Sequence, residues 1–283
     1  MLSFNEMEVL SSATADDGTV VEVLQYPILR GSSDLRTAEA LFYATQSGIR
    51  LKMVRIRLNK SHVRVEPGAL YFMKGNLEMK ASTGGGVLKG LARKVVAGET
   101  FFVNEIHGTG EIYLEPTFGH FLLHRITKKE SGVIVDRSLF YAGTAGLDIS
   151  AAIQKNISSA LFGGEGLFQT KISGEGVAIL YSPVPQEEIM RFTLEGDTLF
   201  VDGNFAIMRS AQVNFSVRKS SKNLLSTAVS GEGLLQTFSG HGYVWLAPTQ
   251  AVYEKLATQA GLRSLSQPPG SSDTHTTTTA KKK

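Results

Sequence analysis

The chain has 283 residues, no cysteine and a formal net charge of +3. That length supplies a sizeable core without staples, and the missing cysteines exclude disulfides, thiolate catalysis and cysteine-ligated zinc. Ser264–Lys283 hold three Lys and one Asp and so contribute +2, leaving +1 on the body, a weaker basic bias than a generic polyanion binder carries.

Met1–Glu8 carries two Glu and no cation, unlike a signal or transit peptide, and no apolar run reaches the roughly eighteen residues of a membrane-spanning helix. A cytoplasmic location is the expectation. Residues 1–49 read as an N-terminal strand and helix extension. Ser33 is placed to cap a helix through "DLRTAEALFYATQS", with Leu35, Ala38, Leu41 and Phe42 on one face and Gly48 at its end. In "IRLKMVRIRLNK" the apolar phase slips after Met53. A β-bulge at Met53–Val54 would keep Arg50, Lys52, Arg55 and Arg57 on one face. That face could meet nucleic acid or an anionic membrane; the plainer reading is a solvated strand guarded by its charges.

Three stretches then repeat. "HVRVEPGALYFMKGNLEMK", "GVIVDRSLFYAGTAGLDIS" and "TLFVDGNFAIMRSAQVNFS" correspond, starting at His62, Gly132 and Thr198. "GETFFVN", "GEGLFQT" and "GEGLLQT" share the next slot, and each leads through a Gly-x-Gly into an apolar run ending at Pro116, Pro183 or Pro248. The units span 50–116, 120–183 and 188–248. Alternation in His62–Val65, Leu77–Met79 and Thr198–Val201 reads as strand, and the Gly-x-Gly pieces suit hairpin turns. About six short strands are expected per unit, with a connector between the fourth and fifth. The first connector, "GGGVLKGLARKVVAG", reads as a short amphipathic helix with Val87, Leu91 and Val95 on one face. The fold class expected is all-β: three repeated β-sandwich units around a pseudo-threefold axis, with short flanking helices. A helix is expected at 249–263 and a disordered tail at 264–283.

Two trios of acids recur at equivalent positions. Glu99, Glu165 and Glu232 could form a threefold ligand site for a hard cation. Glu66, Asp136 and Asp202 precede turn-forming residues, where a carboxylate accepts a backbone hydrogen bond. His120 and His124 read as a metal-like His-x-x-x-His, but they fall on a strand, where four residues span about 13 Å, too far for one ion. His107 and His241 are expected to face solvent in hairpin turns. Gly84–Gly86 lacks a P-loop or dinucleotide ending, and no nucleophile elbow is present.

"VEPGALYFMKGNLEM", "GGGVLKGLARKVVAGETFFVNEIHGTGEIYLEP", "SSALFGGEGLFQTKISGEG" and "SGEGLLQTFSGHGYVWLAP" together resemble the altered inheritance of mitochondria twenty-four family, in its bacterial form, from about Met53 to Pro248. The resemblance implies β-sandwich units similar to the tryptophan RNA-binding attenuation protein, repeated within one chain. It brings no catalytic residues and no matching RNA-binding motif. The function expected is a non-enzymatic scaffold or interaction module without a cofactor, working through a protein partner or self-association and not through specific nucleic-acid binding. The alternatives are a small-ligand or cation-binding module, or peripheral association with anionic membrane.

Overall fold

The computed structural model describes residues 6–82, 103–153, 168–219 and 234–265. The expected helix at Val87–Val96 lies outside them. β1 (Glu8–Thr14) and β2 (Val20–Gln25) form an antiparallel hairpin. Its turn is held by the Asp17 carboxylate, which accepts the Thr19 N–H at 2.9 Å.

α1 (Leu35–Gln46) is capped by Asp34, one residue after the expected Ser33. Only the Asp34 carboxylate reaches both the N–H (2.9 Å) and the hydroxyl (2.7 Å) of Thr37. Gly48 follows the helix at φ +73°, as expected of a helix stop. The helix expected at 249–263 is two pieces, α2 (Gln250–Leu256) and α3 (Gln259–Leu265). α1 and α2 bury no residue, so the core belongs to the strands.

The first third of that core is three long strands, β3 (Lys52–Val65), β4 (Leu70–Ser82) and β5 (Val103–Leu114), with β5 antiparallel between the other two. The middle third breaks the same path into six: β6 (His120–Ile126), β7 (Val133–Asp136), β8 (Phe140–Thr144), β9 (Leu147–Ile153), β10 (Phe168–Gly174) and β11 (Gly176–Ser182). Here β11 lies between β6 and β8, and β10 between β7 and β9. The last third is β12 (Met190–Asp202), β13 (Ala206–Ser210), β14 (Asn214–Lys219) and β15 (Leu234–Leu246), with β15 paired to the other three. Six strands per unit therefore holds only in the middle.

The glycine pairs explain the difference. Gly108 and Gly110 are not a hairpin turn; they lie inside β5, where it crosses β4. A Cβ on Gly108 would sit 2.0 Å from the Asn76 carbonyl oxygen, and one on Gly110 2.3 Å from that of Lys74. Both residues also hold positive φ, +130° and +157°. Glycine lets a long strand bend sharply while its backbone touches its neighbour. Gly240 and Gly242 lie inside β15 in the same way, whereas Gly174 and Gly176 stand where the path divides into β10 and β11.

The strands make two sheets. One runs β1-β2-β3-β8-β11-β6, with β5 also on β3 and β4 on β5; the other runs β12-β15-β13-β7-β10-β9, with β14 on β15. The middle third contributes to both, and a core including Phe140, Leu180, Leu147, Ile149 and Ile172 fills the space between. Each such side chain, wholly buried, adds roughly 1.5–3 kcal/mol over leaving it exposed.

Two seams join the thirds. At the first, β3 meets β8 with Val63 opposite Thr144, Arg64 opposite Gly143 and Val65 opposite Ala142. At the second, β7 meets β13 with Val133 opposite Ser210, Ile134 opposite Arg209 and Val135 opposite Met208. A register shift also recurs. It falls beside Tyr71 in β4, Tyr141 in β8 and Ile207 in β13, each time against the central strand. Among the described residues no strand of 190–246 pairs with one of 52–114. Among the described residues, strand pairing therefore links the thirds in a row.

Candidate functional site

Glu99, Glu165 and Glu232 lie outside the described residues. The other acids can be placed. Asp136 accepts hydrogen bonds from the Ser138 N–H (3.0 Å) and hydroxyl (2.7 Å), as a turn acid does. Glu66 is at a turn closed by the Ala69 N–H on its carbonyl, and burial raises its carboxyl pKa while nearby Arg137 opposes this.

The four-cation face does not form. β2 and β3 pair without a break from Val20–Arg57 to Gln25–Lys52, so no bulge at Met53–Val54 shifts the phase there. Arg55 and Arg57 share one face and Lys52 falls on the other. Arg55 donates to Glu22 at 2.8 Å and Arg57 at 3.2 Å, so one buried carboxylate neutralises this face in part. The Lys52 ammonium is buried, donates to the Arg50 carbonyl at 3.2 Å, and has its pKa lowered by that burial. The signal read as a bulge was a buried lysine: Met53 and Val54 are both core residues because both faces are covered here.

The histidines are strand residues. His120 and His124 lie on β6, as expected. His107 is not in a turn; it stands opposite His62 across β3 and β5, with the rings stacked at 4.8 Å. Glu105 accepts from Arg64 at 2.8 Å and lies 3.2 Å from His107 Nε2. Burial lowers the His62 pKa, helped by Arg64 and His107. His241 lies within β15 and is exposed. His124 Nε2 lies 3.2 Å from the Tyr243 hydroxyl, and the Arg191 guanidinium sits 4.4 Å over the Tyr243 ring. Burial lowers the His124 pKa and pushes that of Tyr243 up to about 12. These groups form a packed polar seam.

A cleft of about 570 Å³ opens between the β1–β2 turn and the middle third, lined by residues including Asp16, Asp17, Lys128, Glu130 and Glu175. Its charges are largely committed: Lys128 pairs with Glu175 at 2.8 Å, and Arg125 with Asp16 at 3.2 Å. Burial alone would raise the Asp17 pKa, but hydrogen bonds from Ser61 and Thr19 outweigh it and the net shift is downward. No three His, Asp or Glu side chains gather as metal ligands among the described residues.

Two strand edges stand out instead. Tyr71, Phe72 and Met73 of β4 are 54, 40 and 38% exposed, and Phe200 of β12 is 53% exposed. At corresponding places Ala142, Thr144, Met208, Arg209 and Ser210 are buried. The sequence reading passed over these residues, although "ALYFM" is apolar at successive positions and hence on both faces of its strand.

The architecture defines an all-β protein of two antiparallel sheets, to each of which the middle third contributes three strands. The chain belongs to the AIM24 family: the model of that family, described as mitochondrial biogenesis AIM24, matches residues 43–249. The chain is similar to the uncharacterized protein M6_Spy0233 of Streptococcus pyogenes serotype M6, 25% identical over 194 residues, covering 65% of this chain and 75% of that one. Its fold is like that of the solved structure of protein SPYM3_0169 from Streptococcus pyogenes, with a TM-score of 0.52 at 21% identity, over 70% of this chain and 88% of that one. No helix is long and apolar enough to cross a membrane among the described residues.

Proposed function

We propose that the protein is a non-enzymatic interaction module, a β scaffold built of three repeated units. The observation that carries this reading is the identical register of the two seams, Val63–Val65 on Ala142–Thr144 and Val133–Val135 on Met208–Ser210. The recurrent register shift at Tyr71, Tyr141 and Ile207 supports the same triplication. A fold whose repeated feature is unit-to-unit strand pairing fits an assembly role better than turnover.

Native mass spectrometry of the protein purified gently from its own host tests this reading. The expected result is a mass of the chain in multiples or with a protein partner. A stoichiometric small molecule or metal would instead favour the ligand-binding alternative and direct mutagenesis to Glu99, Glu165 and Glu232. The membrane alternative loses its four-cation face, because Glu22 holds Arg55 and Arg57 and Lys52 is buried.

A further inference from the structure

The three units form a row with two seams, and each seam uses the same two edges. The offering segment is Val63–Val65 at the end of β3 in the first unit, then Val133–Val135 in β7 in the second. The receiving segment in the next unit is Ala142–Thr144 at the end of β8, then Met208–Ser210 at the end of β13. A row of three necessarily leaves one edge of each kind unused. These are the C-terminal half of β12 in the last unit and the N-terminal half of β4 in the first. Among the described residues β12 pairs only with β15 and β4 only with β5, so both edges are open.

Exposure separates these two edges from their counterparts. Val63, Val65, Val133 and Val135 are fully buried and Ile134 is 9% exposed, whereas Phe200, at the place of Ile134, is 53% exposed. On the receiving edge, Phe72 and Met73 are 40 and 38% exposed where Ala142 and Met208 are covered. An open, apolar strand edge invites another strand, and natural proteins normally blunt such edges with charge or proline. No charge or proline interrupts Leu199–Val201, and on the receiving edge Lys74 stands only at the end of the paired segment, after Phe72 and Met73.

Resting on the triplication proposed above, we infer that β12 of one copy pairs with β4 of a second copy, in the register of the internal seams. Transferring that register places Leu199 opposite Lys74, Phe200 opposite Met73 and Val201 opposite Phe72. Two of the three pairs are apolar on both sides, and each strand that is an edge in the single chain becomes an interior strand. The joint is head-to-tail, because the two edges differ. Such an interface propagates until the rotation per copy closes a ring, or grows as a filament. The occupant is a second copy and not an unrelated peptide, because this chain already makes the same joint twice.

The absence of cysteine gives a clean test. Met73→Cys and Phe200→Cys are made as separate full-length variants, and each is checked for an unchanged thermal melt; both sites are exposed, so folding is expected to survive. Residues directly opposite in an antiparallel pair come close enough for a disulfide. Under mild oxidation the mixed variants should give disulfide-linked dimer about tenfold more abundantly than either alone. No excess in the mixture, or equal self-linking of either variant, would overturn the pairing. Independently, Phe200→Lys should shift the native mass to the single chain without changing the far-ultraviolet circular dichroism, and an unshifted assembly would also sink the proposal. Failure of the cross-link leaves the scaffold reading standing if a protein partner is found. Discovery of a bound metabolite removes that reading without touching the cross-link result.

Discussion

Val65 of β3 stands directly opposite Ala142 of β8, and neither side chain is exposed. Ile106, Ile179 and Phe121 belong to the same packed cluster, so the seam has no room in which a larger residue could be placed. Ala142→Leu would force a branched side chain into it. The expected cost is about 1–3 kcal/mol. It should appear as a lower urea midpoint with an unchanged slope; a variant as stable as the parent would show the seam to be loosely packed.

The glycines inside the long strands make a sharper contrast. Gly108→Ala would bring a Cβ to 2.0 Å from a backbone oxygen at φ +130°, and no side-chain movement can relieve that. A loss of about 3 kcal/mol or more is expected. Gly18 also has positive φ, +81°, but nothing lies within 4 Å of its Cβ position. Gly18→Ala should therefore cost only about 1 kcal/mol, from backbone strain alone. Parallel thermal melts check the difference, and equal losses would remove the close-crossing explanation.

Glu22 is the only acid that the ion pairs place on Arg55 and Arg57 among the described residues. Glu22→Gln leaves Arg55, whose side chain is 13% exposed, without its countercharge. The expected loss is about 2 kcal/mol, below that of a fully buried pair because Arg57 is half in solvent. Replacing both Glu22 and Arg55 by apolar residues should recover most of it, and a double-mutant cycle measures the coupling.

The depressed histidines set a pH dependence. Burial lowers the pKa of His124, His120 and His62 in the folded chain. The unfolded chain then binds protons first, starting near the ordinary value of about 6.5. Stability from these groups is complete above that pH and falls as pH drops toward the folded-state values. Denaturant midpoints measured from pH 7.5 down to 5 should decline, and His124→Gln should flatten the decline. An unchanged slope in that variant would place the proton uptake elsewhere.

The sequence by itself determined the all-β class and the helix stop at Gly48, because period-two alternation and a glycine closing an amphipathic run are local properties of the chain. It also marked the glycine pairs, but a glycine permits both a hairpin and a close crossing; only β4 lying across β5 decides which. Lys52 could not be recognised as buried from its own neighbours, since its burial comes from the strands that cover β3 on both faces. Asp34, and not Ser33, caps α1 because of where its carboxylate meets Thr37, a distance no spacing rule fixes. Most of all, Tyr71 and Tyr141 each sit at a register shift against a neighbouring strand and differ in their surroundings. Strand pairing is a contact between distant segments, so which edges were matched and which were left open became visible only when the tertiary structure placed them side by side.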